Sequence, residues 1–177
     1  MSTRATLCVA AILAIMVDAA LAGPLEDANA ALIRKDYAKA LQLYRPLAQN
    51  GEPGAQVNLG YMYDEGLGVP KDYREAVKWY RRAADQGDAL GQNNLANMYR
   101  DAVGVPQDYV QAHLWFNLAA QRFATKEKRD TAAKDRDVVA AKMTAAQIAE
   151  AQKLAQQWKP KPESSLGWWQ RMQRFFH

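Results

Sequence analysis

The feature that most constrains this chain is an internal repeat. The hexapeptide GVPKDY at residues 68–73 returns as GVPQDY at residues 104–109, 36 positions later. Because self-similarity at a fixed period of this length is the signature of stacked structural units, it predicts a solenoid. The residues of the first copy that are identical in the second are Gln56, Asn58, Leu59, Met62, Tyr63, Gly68, Val69, Pro70, Asp72, Tyr73, Ala76, Trp79, Ala83 and Ala84.

Each copy of the repeat predicts two helices. Apolar residues recur at helical spacing on both sides of the hexapeptide, and they are Ala55, Leu59, Met62 and Tyr63 in the first helix and Tyr73, Ala76, Trp79, Tyr80 and Ala83 in the second. Gly60 has no side chain, so a neighbouring helix can approach it closely. A half copy precedes these units at Asp36, Tyr37, Ala40, Tyr44 and Ala48. The repeat unit is therefore expected to be a helical hairpin.

The hexapeptide predicts the corner between the two helices. Gly68 can adopt a positive φ after the first helix, and Pro70 pushes the residue before it out of the α region. Asp72 is a candidate N-cap for the second helix, with Glu75 as its capping-box partner. The second copy of this box is Asp108 with Gln111. The motif is present twice because the chain turns the same corner twice.

The full pattern, A-x-x-x-L-G-x-M-Y-x-x-G-x-G-V-x-x-D-Y-x-x-A-x-x-W-Y-x-x-A-A-x-x-G over residues 55–87, closely resembles the Sel1-like repeat, a relative of the tetratricopeptide repeat. The resemblance extends over residues 36–122. It implies an α/α solenoid that serves as an adaptor for protein complexes, commonly in exported bacterial proteins. The second copy departs from the pattern at Ala96, Ala102 and Phe123, which stand where the first has glycine. These departures indicate that it is the last full repeat.

The last repeat also predicts a C-terminal capping helix pair. Leu114 and Leu118 stand where the inner repeat has Lys78 and Arg82, which creates an additional apolar stripe that must be covered. We expect the cover to be a charged helix over about residues 126–143 and a second helix, introduced by the capping box of Thr144 and Gln147. The apolar face of that second helix comprises Ile148, Ala151, Ala155 and Trp158.

The predicted fold class is thus all-α, with one domain, since 177 residues with 49% apolar residues suit a single core. The expected boundaries are a signal peptide at 1–22, a solenoid at 23–158, and a linker with an aromatic and cationic tail at 159–177. Within the solenoid they are a half-repeat at 25–51, repeats at 52–87 and 88–123, and capping helices at 126–158.

Residues 1–22 predict export. Arg4 precedes an apolar run that ends before Asp18, and Ala20-Leu21-Ala22 places small residues where a signal peptidase cleaves. The alternative is a retained membrane anchor, although a spanning helix needs about 20 apolar residues. Cleavage would remove Cys8, the single cysteine, so the mature chain would have no disulfide. The expected location is periplasmic or secreted.

The sequence offers little for catalysis, and we predict a protein that is not an enzyme. The two histidines, His113 and His177, form no cluster with cysteines that could hold a metal, so no metal and no cofactor are predicted. His113 stands at a core-facing position of its helix. Nucleophile and nucleotide-binding motifs are absent. The net charge of +4 is spread along the chain beside acidic residues, which argues against nucleic acid as a partner.

Partner binding is the function that the pattern favours. In such solenoids the first helix of each unit lines the concave side. The polar residues on those helices, which could hydrogen-bond an extended peptide backbone or a glycan, are Asn58, Tyr61, Asp64, Asn94, Asn97 and Arg100. The main hypothesis is a protein-protein interaction scaffold in the cell envelope. The alternatives are a cell-wall protein that binds or hydrolyses peptidoglycan glycan, and a peripheral membrane adaptor.

The membrane alternative depends on the tail. Its aromatic and cationic residues suit an anionic membrane surface or a groove on a partner, or the tail folds back on its own solenoid. The docking residues in this hypothesis are Trp168, Trp169, Arg171, Met172, Arg174, Phe175 and Phe176.

Overall fold

The computed structural model of the chain describes residues 23–161, and all regular structure within that range is helical. The helices are α1 (Pro24–Ile33), α2 (Tyr37–Gln49), α3 (Pro53–Glu65), α4 (Tyr73–Gln86), α5 (Ala89–Asp101), α6 (Tyr109–Arg122), α7 (Lys126–Ala140) and α8 (Ala145–Gln157). The predicted signal peptide and the tail residues from 162 onward lie outside this range. Within it, no helix combines the length and apolarity that a membrane crossing requires.

Consecutive helices pack against each other from α1 to α7, so that three hairpins, α1/α2, α3/α4 and α5/α6, stack in order. This arrangement confirms the predicted helical solenoid. The second helix of every hairpin begins at the same point of the period, at Tyr37, Tyr73 and Tyr109. α8 keeps this period as well, because it begins at Ala145.

The helix starts show why the period is fixed. The side chains of Asp72 and Asp108 accept hydrogen bonds from the third helical residue, as predicted, at 3.0 Å in both copies. Their own backbone N–H groups donate to the carbonyls of Tyr63 and Tyr99, at 2.9 and 3.1 Å. Each corner is thereby tied to the helix that precedes it, which satisfies a backbone donor that a complete capping box would otherwise use.

A capping box also needs the backbone N–H of the cap residue to donate to the side chain three residues later. The N–H groups of Asp72 and Asp108 do not donate to Glu75 and Gln111, so this part of the prediction is wrong. The carboxylate of Glu75 instead pairs with Lys78 at 2.7 Å, and the side-chain oxygen of Gln111 accepts from the Trp115 indole at 3.2 Å. The box at Thr144 is complete, with both reciprocal hydrogen bonds to Gln147. The backbone N–H of Thr144 donates to the Gln147 side-chain oxygen at 2.9 Å instead of to a carbonyl of the preceding helix.

A buried aromatic ring forms the centre of each hairpin. Tyr44, Tyr80 and Phe116 repeat at the 36-residue spacing, and each is at most 1% exposed. Gly60 lies against the Tyr80 ring, and a Cβ at that position would lie 2.8 Å from two ring carbons. The predicted close approach at Gly60 is confirmed. Burying such a side chain stabilises the fold by about 1.5–3 kcal/mol.

A buried glutamine fastens each repeat to the one before it. Gln56 and Gln92 are fully buried, and their amide nitrogens donate to the carbonyls of Ala48 and Ala84, at 3.1 and 3.2 Å. Those carbonyls belong to the last turns of α2 and α4. The same carbonyls also accept from the backbone N–H groups of Gly51 and Gly87, so each glutamine adds a second hydrogen bond at the helix end and links it to the next repeat.

The C-terminal pair covers α6 as predicted. Leu114 and Leu118 are 5% and 1% exposed, and they belong to a core cluster with Val139 of α7. Leu154 and Trp158 pack against the same cluster. Both α7 and α8 pack on α6 rather than chiefly on each other, which differs from the closed hairpins before them.

The α7/α8 pair does not form a closed hairpin, and the corner motif of the earlier hairpins is missing between its two helices. The connections between helices at residues 66–72 and 102–108 have seven residues, but residues 141–144 give only four. α7 ends at Ala140, three positions beyond the residue that lies 36 positions after the end of α5. This end is earlier than the one expected from the sequence, near Met143. The glycine and proline that shape the earlier corners are also missing from residues 141–144.

The end of α5 carries local strain. Gly66 closes α3 in the left-handed conformation at φ 72°, and Gly68 and Gly104 have φ 71°, which confirms the prediction for Gly68. Ala102 adopts the same conformation as Gly66, at φ 58°. A residue with a Cβ in this region costs about 1–2 kcal/mol.

We expect Ala102→Gly to raise the free energy of unfolding by about 0.5–1 kcal/mol, because relief of strain exceeds the entropy that glycine adds to the unfolded chain. Gly104→Ala, two residues away, should lower it by more than about 2 kcal/mol. A Cβ at Gly104 would lie 2.4 Å from the Tyr73 carbonyl oxygen, in addition to the backbone strain. Urea unfolding followed by circular dichroism measures both. Equal effects of the two variants would contradict this account.

Candidate functional site

The structure brings the predicted partner-binding residues together on two neighbouring helices. Packing between α3 and α5 sets equivalent positions of the repeat side by side. We call this surface the α3/α5 face and define it by Asn58, Tyr61 and Asp64 on α3 and Asn94, Asn97 and Arg100 on α5. The six residues differ in how strongly other parts of the fold already engage them.

Asn58 belongs to an internal network. Its amide nitrogen donates to the Asn29 side-chain oxygen at 3.0 Å and to the Tyr44 hydroxyl at 3.1 Å. The Tyr44 hydroxyl in turn donates to the same Asn29 oxygen at 2.7 Å. Burial raises the pKa of Tyr44 to about 12, so this hydroxyl remains a donor at neutral pH. The amide group of Asn58 thus joins the first hairpin to the second.

Asp64 occupies an intermediate position. One of its carboxylate oxygens accepts from the Tyr80 hydroxyl at 3.3 Å, and the side chain is half-buried. Burial raises the pKa of Asp64, while the Tyr80 hydrogen bond opposes this shift. A carboxylate has several acceptor positions, so this hydrogen bond does not use up its capacity to accept others.

Arg100 is held at the junction with the capping helices. It makes two 2.8 Å hydrogen bonds to Asp101 and lies 3.8 Å from Asp135 of α7. Its guanidinium lies 5.6 Å from the centroid of the Phe116 ring. The hydrogen bond with Arg100 lowers the pKa of Asp101, so this pair is charged under ordinary conditions.

Tyr61, Asn94 and Asn97 are the residues of the face that the fold leaves available. Within residues 23–161, no hydrogen bond or ion pair engages their side chains. Tyr61 is 42% exposed, and the two asparagines are half-buried. An exposed tyrosine beside two amide groups provides apolar area together with donors and acceptors for a polypeptide backbone.

The tail residues of the membrane hypothesis lie outside the described residues. They are Trp168, Trp169, Arg171, Met172, Arg174, Phe175 and Phe176.

A second polar site lies between the last three helices. A partly open cavity of about 310 Å³, here called the terminal cavity, is bordered by α6, α7 and α8. Its lining residues are His113, Asn117, Arg136, Asp137, Ala140, Ile148 and Gln152. An adjoining cavity of about 450 Å³ shares Asn117 and Gln152 and extends to Trp158. The sequence did not reveal either cavity.

His113 is the most deeply buried polar residue of the terminal cavity. Its side chain is 4% exposed, and its Nδ1 atom has no hydrogen-bond partner among the described residues. Burial lowers the pKa of His113, the charge of Arg136 adds to this effect, and the charge of Asp137 opposes it. The imidazole is therefore neutral near pH 7, with one ring nitrogen able to accept a hydrogen bond.

Both sites consist of groups that form hydrogen bonds and ring contacts. In the range 23–161, no group of three or more His, Cys, Asp or Glu side chains could hold a metal ion. The α3/α5 face offers amides, a phenol and charges, and the terminal cavity offers an imidazole, amides and one arginine-carboxylate pair. Groups of these kinds recognise other molecules through hydrogen bonds and ring contacts.

Comparison with known proteins identifies similar repeats. A family model described as Sel1 repeat matches residues 29–52, 53–88 and 89–122. The chain is similar to the crystal structure of c5321, a protective antigen present in uropathogenic Escherichia coli strains displaying an SLR fold. The two are 33% identical with a TM-score of 0.70, over 88% of this chain and 33% of that one. The chain thus spans about a third of that protein's length.

A second solved structure, that of a Sel1 repeat protein from Oxalobacter formigenes, is 34% identical with a TM-score of 0.50. That similarity extends over 54% of this chain and 71% of the other. No curated protein matches this chain.

The burial of His113 predicts a specific pH dependence of stability. Its pKa in the folded state lies below the unfolded value of about 6.5, so the unfolded chain binds more protons between these two values. Stability contributed by the neutral imidazole is present above about pH 6.5 and is lost as the pH falls. The slope for one proton is at most about 1.4 kcal/mol per pH unit.

His113→Leu should remove this component, because Leu41 and Val77 occupy the same position of the repeat. Urea unfolding of both proteins between about pH 5 and 7.5 measures the difference in unfolding free energy. We expect the variant to gain relative stability as the pH falls. A difference that stays constant over this range would contradict the assignment.

Proposed function

Because this chain belongs to the Sel1 repeat family, whose members are generally protein-interaction scaffolds and typically non-catalytic, we propose that it is a non-enzymatic adaptor that binds partner proteins in the cell envelope. The observation that carries the proposal is the α3/α5 face. Two adjacent helices present matched positions of the repeat, where Tyr61, Asn94 and Asn97 have side chains that the described fold does not use.

The proposed binding mode is an extended segment of the partner lying across α3 and α5 on the concave side of the solenoid. Such a segment presents N–H and C=O groups, and the amides of Asn94 and Asn97 can bond to both kinds. The Tyr61 ring supplies rigid apolar area, a property that makes tyrosine common among residues that dominate binding energy. Asn58 and Asp64 contribute mainly by fixing the helices that carry these groups.

The location in the envelope is proposed from the sequence. Arg4, the apolar run that follows it and the small residues of Ala20-Leu21-Ala22 support export with cleavage after Ala22. The mature protein would then be periplasmic or secreted. Peptidoglycan glycan and an anionic membrane bound through the tail are the competing partners, and the experiment below separates them from a protein.

Site-specific photocrosslinking in living cells tests the proposal. A photoreactive amino acid replaces Tyr61 in the full chain, and the matched control places it at Tyr73, which is 40% exposed compared with 42% for Tyr61. We expect a discrete protein adduct from position 61 and none from position 73. Adducts with glycan or lipid, or equal protein adducts from both positions, would contradict the proposed binding face.

The partner identified in this way permits a quantitative test. Tyr61→Ala combined with Asn97→Ala should weaken its binding by at least about tenfold, since truncating a central contact typically costs more than 1 kcal/mol. Tyr73→Ala should change the affinity less than about twofold. Isothermal titration calorimetry measures both, and circular dichroism confirms that the variants remain helical.

A further inference from the structure

The last repeat lacks an internal hydrogen bond that the preceding repeat makes. In the earlier unit, the side-chain amide of Gln86 donates to the side-chain oxygen of Gln56 at 2.8 Å. The residues 36 positions later are Arg122 and Gln92. Gln92 is fully buried, and its side-chain oxygen has no hydrogen-bond partner within residues 23–161. Because an unpaired buried acceptor destabilises a fold, the arginine does not serve the packing of the repeat as the glutamine does.

The side chain of Arg122 lies instead against the C-terminal end of α8. Its guanidinium is 4.4 Å from the centroid of the Trp158 ring, and its Nη1 donates to the carbonyl of Leu118 at 3.3 Å. Burial lowers the pKa of Arg122, and no carboxylate of the described helices pairs with it. The guanidinium is nevertheless charged at neutral pH. A partly buried cation without a counter-ion favours an anionic ligand.

Arg122 borders the partly open cavity of about 450 Å³ that adjoins the terminal cavity. We call it the amide cleft and define it by two amide side chains from each of two helices, Asn117 and Gln121 of α6 and Gln152 and Gln156 of α8. In each pair the residues are four apart, so they share one face of their helix. The three glutamines make no hydrogen bond within the described part of the chain. Their amides can both donate to and accept from a peptide backbone.

The end of the amide cleft at Arg122 is bounded by another part of the chain. Lys161 donates its backbone N–H to the carbonyl of Asp85 at 2.7 Å, so the chain after Trp158 crosses from α8 to the end of α4. A Cβ at Gly87 would lie 3.6 Å from the Trp158 ring and 3.7 Å from Arg122 Nε, which shows how closely these groups meet. A polypeptide that runs along the cleft toward the guanidinium reaches this crossing. The geometry therefore favours a chain end over a continuing chain.

The dimensions of the amide cleft fit a short chain end. α6 rises about 7.5 Å between Asn117 and Arg122, and an extended peptide rises about 3.3 Å per residue, which gives about two or three residues. The volume of about 450 Å³ lies within the range of sites for small ligands. Both α6 and α8 end near the guanidinium, and the carbonyl ends of helices disfavour an anion. Binding of a carboxylate here must therefore depend on Arg122, the one cation among the residues that line the cleft.

We propose that the amide cleft binds the C-terminal end of a partner polypeptide, with the free carboxylate on the Arg122 guanidinium and the backbone amides on Gln121, Gln152 and Gln156. Capture of a terminal carboxylate is a recurring mode of peptide recognition. The cleft belongs to α6 and α8, so this binding does not rest on the α3/α5 face.

An NMR titration of the full chain tests the proposal with N-acetyl-trialanine as the probe. The Arg122 Nε–Hε signal, assigned with Arg122→Gln, should shift in a saturable manner. Two peptides without a terminal carboxylate, N-acetyl-trialaninamide and N-acetyl-Ala-Glu-Ala-amide, should each bind at least about tenfold more weakly, because the charged pair at the chain end is lost. Equal binding of either amidated peptide, or of acetate alone, would overturn the assignment of a peptide C-terminus.

Three variants separate binding from folding. Arg122→Gln introduces the residue of the preceding repeat, so the protein should remain helical by circular dichroism while the affinity for N-acetyl-trialanine falls at least about tenfold. Gln121→Glu, at an exposed position, places a competing carboxylate beside the guanidinium and should also weaken binding. The control Lys153→Gln removes an exposed positive charge of α8 outside the lining and should change the affinity less than about twofold. Wild-type affinity in the folded Arg122→Gln variant would contradict the proposal.

Discussion

The structure depends on the burial of one aromatic ring between the two helices of each hairpin. Tyr44, Tyr80 and Phe116 fill this position in successive units, and the ring of Tyr80 requires a residue as small as Gly60 opposite it. A single hairpin exposes the other faces of its helices, so each unit is completed by the next. The 36-residue period follows, because the corner must return every ring to the same place.

The fold was accessible from the sequence because its determinants are local and repeated. Helical spacing, the Gly-Val-Pro corner and the Asp72 cap each act within a few residues, and two copies exposed the period. The prediction failed where a distant group competes for a local partner. The capping box at Glu75 does not close, because the Tyr63 carbonyl takes the backbone N–H of Asp72. The left-handed conformation of Ala102 is likewise set by its surroundings, because the corner keeps its shape although alanine replaces the glycine of the first copy.

The candidate sites were less accessible, because they depend on which neighbour engages each polar group. The sequence places Asn58 and Asn94 at equivalent positions, but only Asn58 meets an asparagine, Asn29, on the first helix of the preceding hairpin. The terminal cavity depends on helix separation, which sequence spacing does not specify. A signal was nevertheless present: the caps Asp36, Asp72, Asp108 and Thr144 follow one another at 36 residues, and Gln152 breaks the aromatic series. The proposed binding face and the terminal cavity thus both involve helices that keep the 36-residue period.

A double-mutant cycle at Gly60 and Tyr80 tests the central contact most directly. Gly60→Ala should lower the free energy of unfolding by about 1–3 kcal/mol in the wild type, because the added methyl group meets the Tyr80 ring. In a Tyr80→Leu background, the same substitution should cost at least about 1 kcal/mol less, since the ring is absent. Additive effects of the two substitutions, measured by urea unfolding, would show that this ring does not fix the packing of the hairpin.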